Sequence, residues 1–85
     1  MRPNKYKKDY SGKTAEEWFA AGKWTGFLMR VPLNKALGYI CKRDKDVSSI
    51  RTIASIMNND ADCPRKFEIV ANFDTMVVTV TATLK

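Results

Sequence analysis

The sequence predicts an α+β domain: one antiparallel sheet of four strands with two helices on one face, in the order α-β-β-α-β-β. Three observations predict it. A helix-start signature stands at Thr14, apolar residues recur at intervals of three and four between Val47 and Met57, and two alternating runs near the C-terminal end are joined by a short link. The chain has 85 residues, the size of one small domain, read as residues 14–85 behind a flexible basic arm of residues 1–13.

Thr14-Ala15-Glu16-Glu17 fits a capping box, in which the threonine hydroxyl accepts from the Glu17 amide and the Glu17 carboxylate reaches back to the Thr14 N–H. A helix is expected from Ala15 to Ala21, with Trp18 and Phe19 on its apolar side and Gly22 ending it in the left-handed conformation. From Trp24 onward, Phe27, Met29 and Val31 fall on one side of an extended segment and Leu28 and Arg30 on the other, so a strand is expected there, closed by Pro32. Asn34-Lys35 supplies a reversal. Leu37, Tyr39 and Cys41 then alternate with Gly38, Ile40 and Lys42 as a second strand; a helix over residues 34–42 competes, weakened by Gly38 and by Tyr39-Ile40. Asp46 is expected to cap the second helix, whose stripe is Val47, Ile50, Ile53, Ala54 and Met57 and whose end is the polar stretch Asn58 to Pro64. Phe67, Ile69, Ala71 and Phe73 form one alternating set and Met76, Val78, Val80, Ala82 and Leu84 another, with Asp74-Thr75 as the hairpin link.

Fifteen Lys and Arg against nine Asp and Glu give a net charge of +6, and there is no histidine. A core this thin makes a large catalytic cleft hard to build, and without histidine the usual neutral-pH proton carrier and commonest transition-metal ligand are missing. Binding is therefore expected rather than catalysis, with no cofactor and no metal. The two cysteines, Cys41 and Cys63, have no third ligand for zinc and read as reduced, partly buried thiols of a cytoplasmic protein, the host's cytoplasm if the protein is viral. Residues 1–9 show no apolar segment of a secretory signal, and no apolar run reaches the roughly 18 residues a membrane span needs.

Three local patterns resemble catalytic or metal motifs and fall short. Gly12-Lys13-Thr14 looks like the end of a phosphate-binding loop, but Lys7 holds the place of the first glycine and no apolar strand leads in, so Thr14 reads as a helix cap. Asn58, Asp60 and Asp62 alternate like the first ligands of a calcium loop, yet Cys63 and Ile69 occupy the positions of its glycine and glutamate. A small Mg²⁺-dependent nuclease using Asp60 and Asp62 is the corresponding enzyme alternative. Cys41 lies beside Lys42-Arg43, which would favour a thiolate, but no base accompanies it, and a packed cysteine explains it.

The basic residues carry the functional expectation. Arg2, Lys5, Lys7, Lys8 and Lys13 against Asp9 place +4 of the total +6 in the first 13 residues. Lys42, Arg43 and Lys45 form one basic connector and Arg65-Lys66 another, both expected with the arm at one end of the sheet. Phosphates favour such a concentration through counterion release, and Tyr6, Tyr10 or Trp24 supply rings for unpaired bases. RNA or another single-stranded nucleic acid is the expected partner, with an acidic protein surface as the competitor; Asp44 and Asp46 dilute the patch. The last strand, Met76 to Leu84, carries no charge and would pair with a second copy or a partner if it formed the sheet edge.

Across the chain, the basic start Lys5-Tyr6-Lys7-Lys8-Asp9, then Glu17-Trp18-Phe19, then Lys42-Arg43-Asp44-Lys45, without a catalytic set, resembles the small early proteins of T-even-type phages that block a host enzyme. Within that group the profile is similar to inhibitors of the ToxN endoribonuclease, the toxin of an RNA-antitoxin phage-defence system. The resemblance implies a non-enzymatic inhibitor that docks on the toxin, with RNA contributing to the complex. It transfers no residue roles.

Overall fold

Thr14 opens the first helix as its sequence requires: its hydroxyl accepts the Glu17 N–H at 3.2 Å, and the Glu17 carboxylate accepts the Thr14 N–H at 3.2 Å. In the computed structural model, which describes Tyr6 and residues 10–85, this helix, α1, spans Ala15–Ala20. Gly22 takes φ +71°. Bonds from Gly22 N–H to Phe19 O and from Lys23 N–H to Trp18 O then close the helix end, the double-bonded ending that a left-handed residue permits.

The next segment overturns the expectation. Trp24–Arg30 is a helix, α2, and not a strand. Among the described residues the molecule has three helices and a three-stranded antiparallel sheet, in place of two helices and four strands. Spacing explains it: Trp24, Phe27, Leu28 and Val31 recur at three and four, which sets them on one helical face, and Phe27, Leu28 and Val31 are fully buried. The period-two reading relied on Met29, which is only half-buried. Val31, ahead of Pro32, turns extended at φ −59°, ψ 140° and stops the helix.

Asn34, at φ +63°, makes the reversal into β1 (Ala36–Ile40). Helix α3 runs Asp44–Asn58, three residues longer at its start than Asp46 as a cap implied; Arg43 is the N-cap and its side chain makes no capping bond, while Asp44 and Asp46 lie in the positive first turn. Its inward residues are Val47, Ile50, Ala54 and Met57. Strands β2 (Arg65–Asn72) and β3 (Val77–Leu84) form the expected hairpin, but through residues 73–76 rather than through Asp74-Thr75 alone, with Met76 at φ +62°.

The sheet order is β1-β3-β2. The last strand is thus the middle one, its backbone engaged on both sides, and the sheet's edges fall to β1 and β2. One face, through Phe67, Val78, Val80 and Ala82, is buried against the helices. The other is open and carries Ile40 at 72% exposure, Val70 at 61%, and Thr79, Thr81 and Thr83 half-covered.

Polar side chains close the element ends that the backbone leaves open. The Arg65 guanidinium donates to Leu28 O at 3.2 Å and Val31 O at 2.7 Å, at the C-terminal end of α2. The Lys85 ammonium donates to Met57 O at 3.1 Å and Asp60 O at 2.7 Å, at the end of α3. Asn58 pairs with both backbone groups of Phe67, at 2.9 and 2.7 Å, and so fastens α3 to the outer edge of β2.

Candidate nucleic-acid interface

Of the residues expected to bind, Lys5, Lys7 and Lys8 lie outside the described residues. Tyr6 is buried at 5% exposure and donates its hydroxyl to Asp60 Oδ2 at 2.9 Å; burial first, and the carboxylate second, push its phenol well above the usual range. It anchors the chain in the core and presents no ring for stacking. Tyr10 is half-buried, its ring edge-on to Trp18 at 5.8 Å and its carbonyl accepting the Trp18 indole N–H at 3.1 Å.

Lys42, Arg43 and Lys45 are exposed at the start of α3, where Arg43 pairs with Asp46 at 3.4 Å. Arg65 is half-buried and its Nη1 is held by the carbonyls of Leu28 and Val31, while burial, with Arg30 nearby, lowers its pKa. Lys66 is exposed on the open sheet face. The two basic connectors were expected at one end of the sheet, and they lie at opposite ends. Ile40, which leads to Lys42, pairs with Val77, whereas Lys66 pairs with Thr83, six positions further along β3, or about 20 Å at strand rise. Strand order is the cause: β3 lies between β1 and β2 and runs antiparallel to both, so β1 and β2 run parallel and the end of one is opposite the start of the other.

The structure instead brings together a different set. Trp18 lies across α2 at Gly26, where an added Cβ would stand 2.6 Å from the indole. The Lys13 ammonium is 5.0 Å from the Trp18 ring centroid. Trp24, the first residue of α2, packs edge-on against Phe19 at 5.6 Å and Phe27 at 6.5 Å while staying half-exposed. Tyr10, Trp18, Lys23, Trp24 and Ile53 line a cavity of about 290 Å³. On the other side, Trp24 and Ile53 join Lys45, Ser48, Ser49 and Thr52 around a second cavity of about 330 Å³. Trp24 and Ile53 are therefore the wall the two share, with an exposed lysine on each side. A depression of about 500 Å³ on α3 is larger, but that one helix alone forms it, around Arg51, Ser55 and Ile56, and no ring lines it.

Sequence reasoning singled out Tyr10, Trp24 and Lys45 from this groove, counted Lys13 only in the charge of the arm, and missed Trp18 and Lys23. The signal was available in the three-four spacing of Trp24, Phe27 and Leu28, which makes a helix and turns Trp24 toward α3.

Cys41 and Cys63 are buried, unbridged thiols, and burial, then Asp46, raise the Cys41 pKa, so Lys42-Arg43 does not activate it. Asp60 accepts the Asp62 N–H through Oδ1 at 3.0 Å and Tyr6 through Oδ2, which makes the stretch a polar turn. Among the described residues no three acidic or sulfur ligands gather as a metal set. No helix there is long and apolar enough to cross a membrane. Comparison of the chain with protein-family models, with curated proteins and with solved structures finds no match.

Proposed function

We propose that this protein is a non-enzymatic binder of single-stranded nucleic acid, RNA in the first place, and that the groove between α2 and α3 is where it binds. The observation that carries this reading is Trp24 as the shared wall of two cavities with Lys23 on one side and Lys45 on the other. An aromatic wall offers a base its face, whatever the base, and a lysine beside it offers a phosphate its counter-charge. The sheet offers no comparable platform, since its open face carries Ile40, Val70, Thr79, Thr81, Thr83, Lys66, Glu68 and Asn72 and no ring, Tyr39 lying on the other face. The net charge of +6 draws polyanions from a distance and sets the rate of encounter.

The test is the affinity of the full chain for an eight-nucleotide RNA and for the matching duplex, across a salt series. Single strands bind more tightly than duplex, and log affinity falls linearly with log salt. Lys23→Glu with Lys45→Glu weakens binding by about tenfold or more and reduces the salt slope by about one for each lysine. Equal affinity for duplex, or indifference to both substitutions, would falsify the assignment of this groove. The resemblance to phage inhibitors adds a carrier for the RNA: capture of an endoribonuclease toxin from nuclease-treated lysate supports direct docking, and capture only from untreated lysate supports an RNA bridge.

A further inference from the structure

We infer that the groove has a footprint of two nucleotides, one on each side of Trp24, with the indole standing between consecutive bases. The inference rests on the single-strand reading above and goes beyond it by fixing how many units the site reads. Three observations carry it. First, the groove holds two open depressions, of about 290 and about 330 Å³, and both are lined by Trp24 and Ile53. Each falls near the lower end of the roughly 300–1,000 Å³ range of small-ligand sites, the scale of one nucleotide and not of an oligomer.

Second, each cavity has its own cation. Lys23 is the N-cap residue of α2 and Lys45 lies in the first turn of α3, and both are exposed. A dinucleotide with a 5′-phosphate carries two phosphate groups, so each lysine has one phosphate to meet. Third, the outer walls differ in kind. Tyr10 and Trp18 close the first cavity with rings, whereas Ser48, Ser49 and Thr52 close the second with hydroxyls. The first cavity offers a base Trp24 to stack on and the Tyr10 and Trp18 rings as further apolar walls. The second has stacking from Trp24 alone and hydroxyls that exchange hydrogen bonds with sugar or base edge. A single nucleotide therefore takes the first cavity, and the second fills only when a tethered neighbour is delivered to it, as an intramolecular step.

The experiment measures calorimetric affinities of the intact protein for AMP, pApA, pApApA and an eight-nucleotide RNA at fixed low salt. The expected result is a gain of about tenfold or more from AMP to pApA, the size of one base–aromatic stack, and about threefold or less from pApA to pApApA. Lys45→Glu, an exposed change that leaves the core untouched, removes most of the gain from the second nucleotide. AMP and pApA binding within twofold of one another, or an even gain at every added nucleotide, overturns the two-unit footprint while the single-strand reading survives on the eight-nucleotide result. Failure of the eight-nucleotide RNA to bind overturns both.

Discussion

Tyr39 illustrates how one polar atom is placed by its neighbours. Its ring packs against Phe27 at 4.8 Å and Phe19 at 5.4 Å, which draws the side chain under the helices. The hydroxyl is carried in with it and is buried without a hydrogen-bond partner among the described residues. An unpaired buried hydroxyl costs about 1–3 kcal/mol in desolvation, whereas the ring contacts survive its removal. Tyr39→Phe is accordingly expected to leave stability unchanged or raise it by up to about 1 kcal/mol in urea unfolding. A loss larger than that would mean that the hydroxyl is satisfied in solution. Tyr6 is the opposite case, with a buried ring and a hydroxyl paired to Asp60. Nothing in the sequence separates the two tyrosines, because the distinction depends on which groups the folded chain brings alongside.

At the scale of elements, α1 and α3 were legible because each carries one unambiguous code. Thr14 and Glu17 form the capping box their spacing requires, and Val47, Ile50, Ala54 and Met57 line the buried face of α3. The β2–β3 hairpin was legible from alternation, although its turn took in Phe73 and Met76 at the expense of both strands. Residues 24–31 were not, because they satisfy two periods at once: Phe27 and Val31 belong both to the alternating set and to the three-four set. The choice is settled by tertiary packing, with Gly26 at its centre. Trp18 of α1 rests where a Cβ on residue 26 would stand 2.6 Å away, so α1 and α2 approach closely only with glycine there. Gly26→Ala therefore displaces Trp18 and is expected to cost about 1–3 kcal/mol despite alanine's better helix propensity. The check pairs unfolding midpoints with the near-ultraviolet circular dichroism of the indoles; a more stable protein with unchanged spectra would show that the helices have room to spare.

At the scale of the molecule, net charge was readable and its distribution was not. Strand order decides distribution, and β3 in the centre puts Lys42 and Lys66 at opposite ends while the ends of α2 and α3 draw Arg65 and Lys85 into helix capping. Burial has a second global consequence. Cys41 is raised from its ordinary 9.0, and Tyr6, Tyr10 and Tyr39 from 10.0, burial being the leading cause in each. The unfolded chain then releases these protons before the folded one does, so stability is full below about pH 9 and falls as pH rises past it. Urea midpoints are expected to drop between about pH 9 and pH 10.5, with Cys41→Ala flattening the early part of the decline; a midpoint independent of pH over that interval would contradict the burial of these groups. The binding account has a more direct check in the two indole N–H signals of a ¹H–¹⁵N spectrum. Trp18 donates to Tyr10 O, whereas Trp24 makes no such bond among the described residues, and titration with single-stranded RNA is predicted to shift Trp24 and the amides of Lys45 to Ile53 and leave Thr79 and Thr81 in place. Shifts confined to the sheet face, with the Trp24 signal unmoved at saturation, would contradict it.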